Sequence, residues 1–272
     1  MRYRIALAIP LLCAAALLAL EGHAFPDAAA LHALWHIEVP LVKALGGVGC
    51  LAAALRFTRG DYLRRAWFFL SMCYFLLLAK DILFGGGSHF QQPQTFSVTV
   101  QWLRGSITLV ANACTVYGTF VLARTARVAG ITLPGSARSR ALVFACAVAV
   151  ALAIAGQATW LDLREVARGN MAQLVGAASD LGDIVAVALI APLLLTALAL
   201  RGGLLGWPWA LLTASYLGWL CYDATATIGY SLQAEPLKLR ALEELFRCLA
   251  CTFALGAGLA QRWAVGGSGE SS

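Results

Sequence analysis

Eight long apolar runs constrain the fold of this chain more than any other feature of its sequence. About 20 residues of α-helix cross a hydrocarbon core of about 30 Å, so runs of this length can span a bilayer. Because 60% of the residues are apolar and 12% are charged, a soluble domain of this composition would expose more apolar surface than water tolerates. The runs are too long and too evenly apolar for barrel strands. The sequence therefore predicts an all-α fold, a polytopic helical membrane bundle with eight transmembrane helices at residues 4–20, 31–55, 66–84, 98–123, 141–156, 174–200, 207–231 and 241–261.

The positive charges between these runs predict an orientation. Lys and Arg in short loops favour the cytoplasmic side of a membrane. Only Asp61 and Glu270 among the acidic residues fall on the side where most arginines lie. The distribution predicts a multi-pass protein of the cell inner membrane with a cytoplasmic C-terminus, and the net basicity then reports topology rather than nucleic-acid binding. The arginines assigned to the cytoplasmic side are Arg2, Arg4, Arg56, Arg59, Arg64, Arg65, Arg124, Arg127, Arg138, Arg140, Arg201 and Arg262.

The first run has two interpretations. Arg2 and Arg4, an apolar stretch and the small residues around Gly22 also fit a signal peptide. Its length favours a retained helix, since signal cores are shorter. Residues 1–24 are therefore predicted to be the first transmembrane helix or a signal peptide, residues 25–263 a seven-helix transmembrane domain, and residues 264–272 a flexible cytoplasmic tail. Cleavage would leave seven helices in the same orientation.

Small residues and loops add local expectations. Cys248 and Cys251 have the spacing of a redox or metal motif, but on a helix in lipid we interpret them as packing residues. The connection at 157–173 has the composition of a short amphipathic helix on the outer surface. Close helix contacts are expected at five glycines, since their lack of a side chain lets backbones approach. They are Gly46, Gly47, Gly49, Gly256 and Gly258.

Ionisable residues inside the runs are the candidate functional residues, because charge within a membrane is costly and usually faces a bundle interior or a wet cavity. Lys43 is the deepest charge, about 18 Å of helix from the outer end of the second run. Its length does not let it reach the interface easily, so we expect an acidic partner. The favoured partners are Asp180, Asp183 and Asp223, which lie in the outer halves of two other runs.

Further polar residues lie near the outer ends of the helices. Glu243, Glu244 and Arg247 open the eighth run at a spacing that predicts a local ion pair. Arg104 begins the fourth run, and Lys80 precedes Asp81 at the end of the third. Five helices are thus expected to turn polar faces toward one outward-facing cavity. The alternative is a buried ion pair that only fixes helix register.

The leading functional hypothesis is a cavity that binds a small ligand or cation, for transport, sensing or partner regulation. In this hypothesis Lys43 and its acidic partner are the centre, and Arg104 and Arg247 tune the cavity. The expected partners are the lipid bilayer and that ligand, with self-association or a second membrane protein left open. No cofactor is expected in this hypothesis.

The alternative hypothesis is an intramembrane metal-dependent hydrolase. His32 and His36 share a helix face at metal-ligand spacing, an aspartate would complete the site, and zinc or iron would be the metal. The missing third histidine counts against this hypothesis, and the sequence as a whole leans away from an enzyme. A haem site is weaker still, because two histidines on one face cannot approach an iron from opposite sides.

Overall fold

The fold is a set of α-helices, seen in a computed structural model that describes residues 2–25, 27–84, 98–169, 173–231 and 235–266. The described residues form no strand, which confirms the all-α prediction for them. The helices are α1 (Arg2–Ala24), α2 (Ala28–Ala54), α3 (Tyr62–Phe84), α4 (Val98–Ala123), α5 (Thr125–Val128), α6 (Ala137–Ala167), α7 (Gln173–Ala188), α8 (Ile190–Ala199), α9 (Gly206–Ser231) and α10 (Pro236–Gly266).

Local sequence signals set several helix ends. Asp27 caps α2 by accepting a hydrogen bond from the backbone N–H of Ala29 at 2.9 Å. Gly60, at φ +100°, supplies the left-handed residue of the short turn between α2 and α3. The sixth predicted run divides into α7 and α8 at Leu189, because Pro192 has no N–H with which to continue the helical bonding.

Six segments among the described residues are long and apolar enough to cross a membrane. They coincide with the first six predicted runs. The last two predicted runs also form helices, α9 and α10, but these are not among the six segments. Polar residues interrupt both, most clearly the four charged residues from Arg240 to Arg247 in the N-terminal half of α10. The six are Tyr3–Ala24, Ala28–Ala54, Tyr62–Phe84, Thr99–Val128, Ala137–Gln157 and Gln173–Ala199.

The exposed surface of the helices is strongly apolar. Large side chains such as Leu12, Ile37 and Ile82 are 68–69% exposed, while many of the buried residues are alanine, cysteine and glycine. Water disfavours such a surface, whereas lipid tails accept it, and small residues at helix contacts are typical of helices that pack in lipid. The distribution supports a membrane protein.

Helix α10 lies at the centre of one half of the fold, where it packs against α1, α2 and α9. The chain of contacts continues from α2 through α3, α4 and α7 to α6, while α8 packs on α9. The contact between α2 and α10 depends on glycine. A side-chain carbon on Gly258 would collide with the carbonyl oxygen of Gly49, and one on Gly49 would collide with the backbone of Leu255.

The other predicted packing residues are also confirmed. Gly46 and Gly47 lie against the rings of Tyr74 and Phe75, and Gly256 approaches the backbone of α1 at Ala6. Cys248 and Cys251 are buried with free thiols on the packed side of α10.

One loop prediction is wrong. Residues 157–167 continue α6 rather than forming a separate surface helix, because no proline or glycine between Gln157 and Ala167 interrupts the helical bonding. The connection at 85–97 and the end of the tail at 267–272 lie outside the described residues. Within the predicted tail, α10 continues as far as Gly266.

Candidate functional site

A cavity of about 180 Å³ lies between α3, α4, α7 and α9. It is slightly larger than an apolar cavity of about 150 Å³ that admits benzene, so it has room for a small molecule. Apolar and aromatic side chains make up most of its wall, with a few polar groups among them. The polar and aromatic lining residues are Tyr74, Thr108, Asn112, Thr115, Asp183, Tyr216, Trp219, Tyr222 and Asp223.

Two of the predicted aspartates, Asp183 and Asp223, line this cavity. The Nδ2 atom of Asn112 donates to Oδ1 of Asp183 at 3.0 Å and to the Ser179 hydroxyl at 2.8 Å, which fixes α4 against α7. The carboxylate of Asp223 receives no hydrogen bond from any residue that the structure describes. A carboxylate in this position can therefore accept hydrogen bonds from a ligand.

Lys80 brings a positive charge to the edge of the cavity. Its Nζ donates to Oγ1 of Thr108 at 3.2 Å, and Thr108 lines the cavity. The Thr108 hydroxyl in turn donates to the backbone oxygen of Arg104 at 3.1 Å. Arg104, predicted to tune the cavity, is half-buried on α4 one turn before Thr108 and is not part of the cavity wall.

Asp180 lies beside the cavity rather than on its wall. It is half-buried one turn before Asp183 on α7, and the charges of Asp162 and Asp180 act on each other. Asp162 lies on α6 beyond the segment that could cross a membrane, and burial raises its pKa. Asp162 and Asp180 therefore lie near each other between α6 and α7, and Asp183, one turn further along α7, reaches the cavity.

The predicted partners of Lys43 are wrong. Lys43 forms an ion pair with Asp81 of α3, and the two side chains are only 7% and 9% exposed. The reason is geometric, since α2 and α3 form an antiparallel pair joined by a short turn. The C-terminal end of α3 therefore lies beside the middle of α2, where the Lys43 side chain reaches Asp81.

The N-terminal half of α10 carries a buried network of ion pairs. The predicted pair of Glu244 with Arg247 is confirmed at 2.6 Å, and Glu244 also pairs with Arg240. Glu243 lies 3.7 Å from Arg240, and both glutamates are fully buried. These residues form a group separate from the cavity, so the expectation of a single vestibule is wrong for them.

Tyr222 connects this network to the cavity. Arg247 donates to the Tyr222 hydroxyl at 2.6 Å, and its guanidinium lies over the same ring, 4.7 Å from the centroid. The Tyr222 side chain also lines the cavity, next in sequence to Asp223. A change in the position of Arg247 would therefore move one wall of the cavity.

Sequence reasoning missed two buried glutamates, Glu21 and Glu38, which face the α10 network. Trp35 donates to Glu21 at 2.8 Å and lies under the Arg240 guanidinium, 5.7 Å from the ring centroid. Glu38 is 8% exposed, and neither of its oxygens has a hydrogen-bond partner among the described residues. Glu38 lies within an apolar run and Glu21 directly follows one, and these positions were the signal that could have found them.

The predicted metal ligands lie elsewhere. His32 and His36 are exposed on α2, and the ring of His32 packs edge-on against Trp35 at 5.5 Å. Lys43 is buried where α3 packs on α2. Because α3 ends at Phe84, it does not cover the histidines. In the described ranges no three His, Cys, Asp or Glu side chains are grouped to hold a metal ion. A zinc or iron site stays a prediction.

Comparison with known proteins adds no family. A scan against protein-family models, a search of curated proteins and a search of solved structures each return no match. The cavity and its chemistry therefore carry the functional argument.

Proposed function

We propose that this chain is a multi-pass inner-membrane protein whose cavity between α3, α4, α7 and α9 binds a small ligand or cation, for transport, sensing or partner regulation. The observation that carries the proposal is the carboxylate of Asp223, which lines the cavity without a hydrogen bond from any described residue. Asp223 is half-buried, and a carboxylate withdrawn from water in this way is costly unless something pairs with it. A ligand with a donor or a positive charge would supply that partner.

We propose eight transmembrane helices, with α9 and α10 as the last two. Their burial against the other helices supports this count, because their charged and polar side chains face protein instead of lipid. Packing of α1 on α10, with Ala6 and Leu17 buried, supports a retained first helix. The predicted division at residues 24 and 263 remains part of this proposal.

The basic helix ends support a cytoplasmic C-terminus. Arg56 at the end of α2 and Arg262 near the end of α10 line one shallow surface pocket, so these two ends share a side. Tyr3 of α1 lies 6.4 Å from Trp207 of α9 and 6.5 Å from Trp263 of α10, which places two more helix ends, those of α1 and α9, on the same side. Arginine and aromatic rings at one level are typical of a cytoplasmic membrane interface.

The test is a thermal-stability screen of detergent-purified protein against small ligands, run in parallel on Asp223→Asn. Ligands that bind the folded state raise its melting temperature by mass action. We expect compounds that stabilise the wild type and lose the effect in Asp223→Asn. The matched control is Glu235→Gln, which changes an exposed carboxylate paired with Lys238. Stabilisation that is equal in all three proteins would contradict the proposed site.

A further inference from the structure

The cavity has an aromatic wall built from four side chains, Tyr74, Tyr216, Trp219 and Tyr222. The face of an aromatic ring carries negative charge density, and cations within about 6 Å of the ring centre are attracted to it. The Tyr222 ring already holds the Arg247 guanidinium in this way. The wall thus suits a positively charged ligand that also has apolar surface.

Hydrogen bonds fix these rings before any ligand binds. Trp219 donates to the Tyr74 hydroxyl at 3.4 Å, that hydroxyl lies 3.2 Å from the Ser215 hydroxyl, and Ser215 donates to the backbone oxygen of Ala250 at 2.7 Å. Tyr216 is hydrogen-bonded to Thr119. A wall that is held in place loses little conformational entropy on binding, which favours affinity.

The charge of the cavity wall is unbalanced toward the negative. Asp183 and Asp223 both line it, whereas the two cations beside it, Lys80 and Arg247, are not part of the wall and are bonded to Thr108 and Tyr222. Asp183 has Asn112 as a donor, whereas Asp223 has no donor among the described residues. Asp223, Tyr222 and Trp219 all line the cavity, and Trp219 lies one turn before Asp223 on α9, so one bound ligand can contact the carboxylate and the rings.

The size and polarity of the cavity narrow the ligand further. A bare metal ion prefers several oxygen ligands, but most of the wall is apolar or aromatic. A volume of about 180 Å³ suits a molecule slightly larger than benzene. These features together describe an ion with a few alkyl groups around one positive nitrogen.

We propose that the ligand of this cavity is a small organic ammonium ion, with Asp223 as its counter-ion and Trp219 and Tyr222 as cation–π partners. This inference rests on the proposed function, because it names the ligand class of the same cavity. In the bound state the alkyl groups would contact the rings, and the positive nitrogen would compensate the Asp223 carboxylate.

The experiment compares two probes of nearly the same shape by isothermal titration calorimetry on purified protein. Choline carries a trimethylammonium group, and 3,3-dimethyl-1-butanol carries a neutral tert-butyl group in its place. We expect choline to bind about 10- to 30-fold more tightly than the alcohol, which is the factor that a desolvated cation–π contact provides. Rubidium chloride is the third probe, and we expect it to bind more weakly than choline.

Variants assign the effect to its residues. Asp223→Asn should abolish the preference for choline over the alcohol, and Trp219→Leu should reduce it, while Glu235→Gln should leave it unchanged. Circular dichroism checks that each variant is folded. A preference for choline that survives in Asp223→Asn would overturn the role of this carboxylate.

The outcomes separate this inference from the proposed function. Equal binding of choline and the alcohol, both lost in Asp223→Asn, would overturn the ammonium ligand and support the cavity as a binding site. Tighter binding of rubidium than of choline would overturn the ammonium ligand and favour an inorganic cation in its place. If neither organic probe binds while the thermal screen yields a ligand lost in Asp223→Asn, the ammonium ligand is refuted and the proposed function stands.

Discussion

The buried ion pair of Lys43 with Asp81 gives a quantitative prediction. Its side chains are 7% and 9% exposed. Removing one member of a buried pair leaves the other charge uncompensated, at a cost of about 3–5 kcal/mol. The conversion for globular domains of somewhat smaller size, about 2–4 °C per kcal/mol, turns this cost into a fall of about 6–20 °C in melting temperature.

The two single variants should lose melting temperature to different extents. Asp81→Asn leaves the Lys43 ammonium buried with the positive charge of Arg247 acting on it, so the loss should be the larger. Lys43→Met leaves Asp81 near the C-terminal end of α3, where a carboxylate is easier to hydrate. The double variant K43M/D81N removes both charges and should recover most of the lost stability.

The assay is thermal unfolding in a mild detergent, followed by circular dichroism. The control is Arg168→Ala, which breaks the exposed pair of Arg168 with Glu165, whose side chains are 58% and 41% exposed. An exposed pair contributes about 0–1 kcal/mol, so the control should melt close to the wild type. If the double variant loses as much melting temperature as the two single variants together, the buried ion pair is refuted.

Three further predictions follow from packing and charge. Gly258→Ala should lower the melting temperature by at least several degrees, because its new methyl group would collide with Gly49. Gly22→Ala is the control, since a methyl group at Gly22 would meet nothing within 4 Å. Equal melting temperatures of the two variants would contradict the α2–α10 contact. Intact mass spectrometry of purified protein should give the mass of a chain that includes the first helix. The mass of a chain that begins after residue 24 would show a cleaved signal peptide. Glu38→Gln should preserve or raise the melting temperature, since Glu38 has no partner among the described residues, and a large loss would reveal a missed ion pair.

The sequence predicted helix positions well, because long apolar runs identify helices in lipid without any knowledge of their neighbours. It also predicted the glycines at helix contacts and the pair of Glu244 with Arg247, which depends only on spacing along one helix. The break at Leu189 was missed although Pro192 gave a signal for it.

Contacts between helices were harder to predict, because each depends on how two helices rotate about their axes. The partner of Lys43 shows where a better argument existed. A short turn pairs α3 with α2, and Asp81 is the one acidic residue of α3, whereas depth alone favoured Asp180, Asp183 and Asp223. The cavity is formed by four helices. Charge within the apolar runs pointed to Asp183 and Asp223, whereas the contribution of Tyr74, Trp219 and Tyr222 to the wall depends on helix rotation.

The central claim is that the cavity admits small cations to Asp223, and Cys73 offers a direct measurement of it. Cys73 lines the cavity with a free thiol, whereas Cys251 is fully buried outside it. Two proteins that retain only one of these cysteines, Cys73 or Cys251, would be treated with a cationic and a neutral methanethiosulfonate of similar size.

We predict that Cys73 reacts with both reagents and that it reacts faster with the cationic one. We also predict that Asp223→Asn removes this difference in rate. Cys251 should react far more slowly with both reagents. Equal reactivity of the two cysteines, or a preference for the cationic reagent at Cys73 that persists in Asp223→Asn, would contradict the central claim.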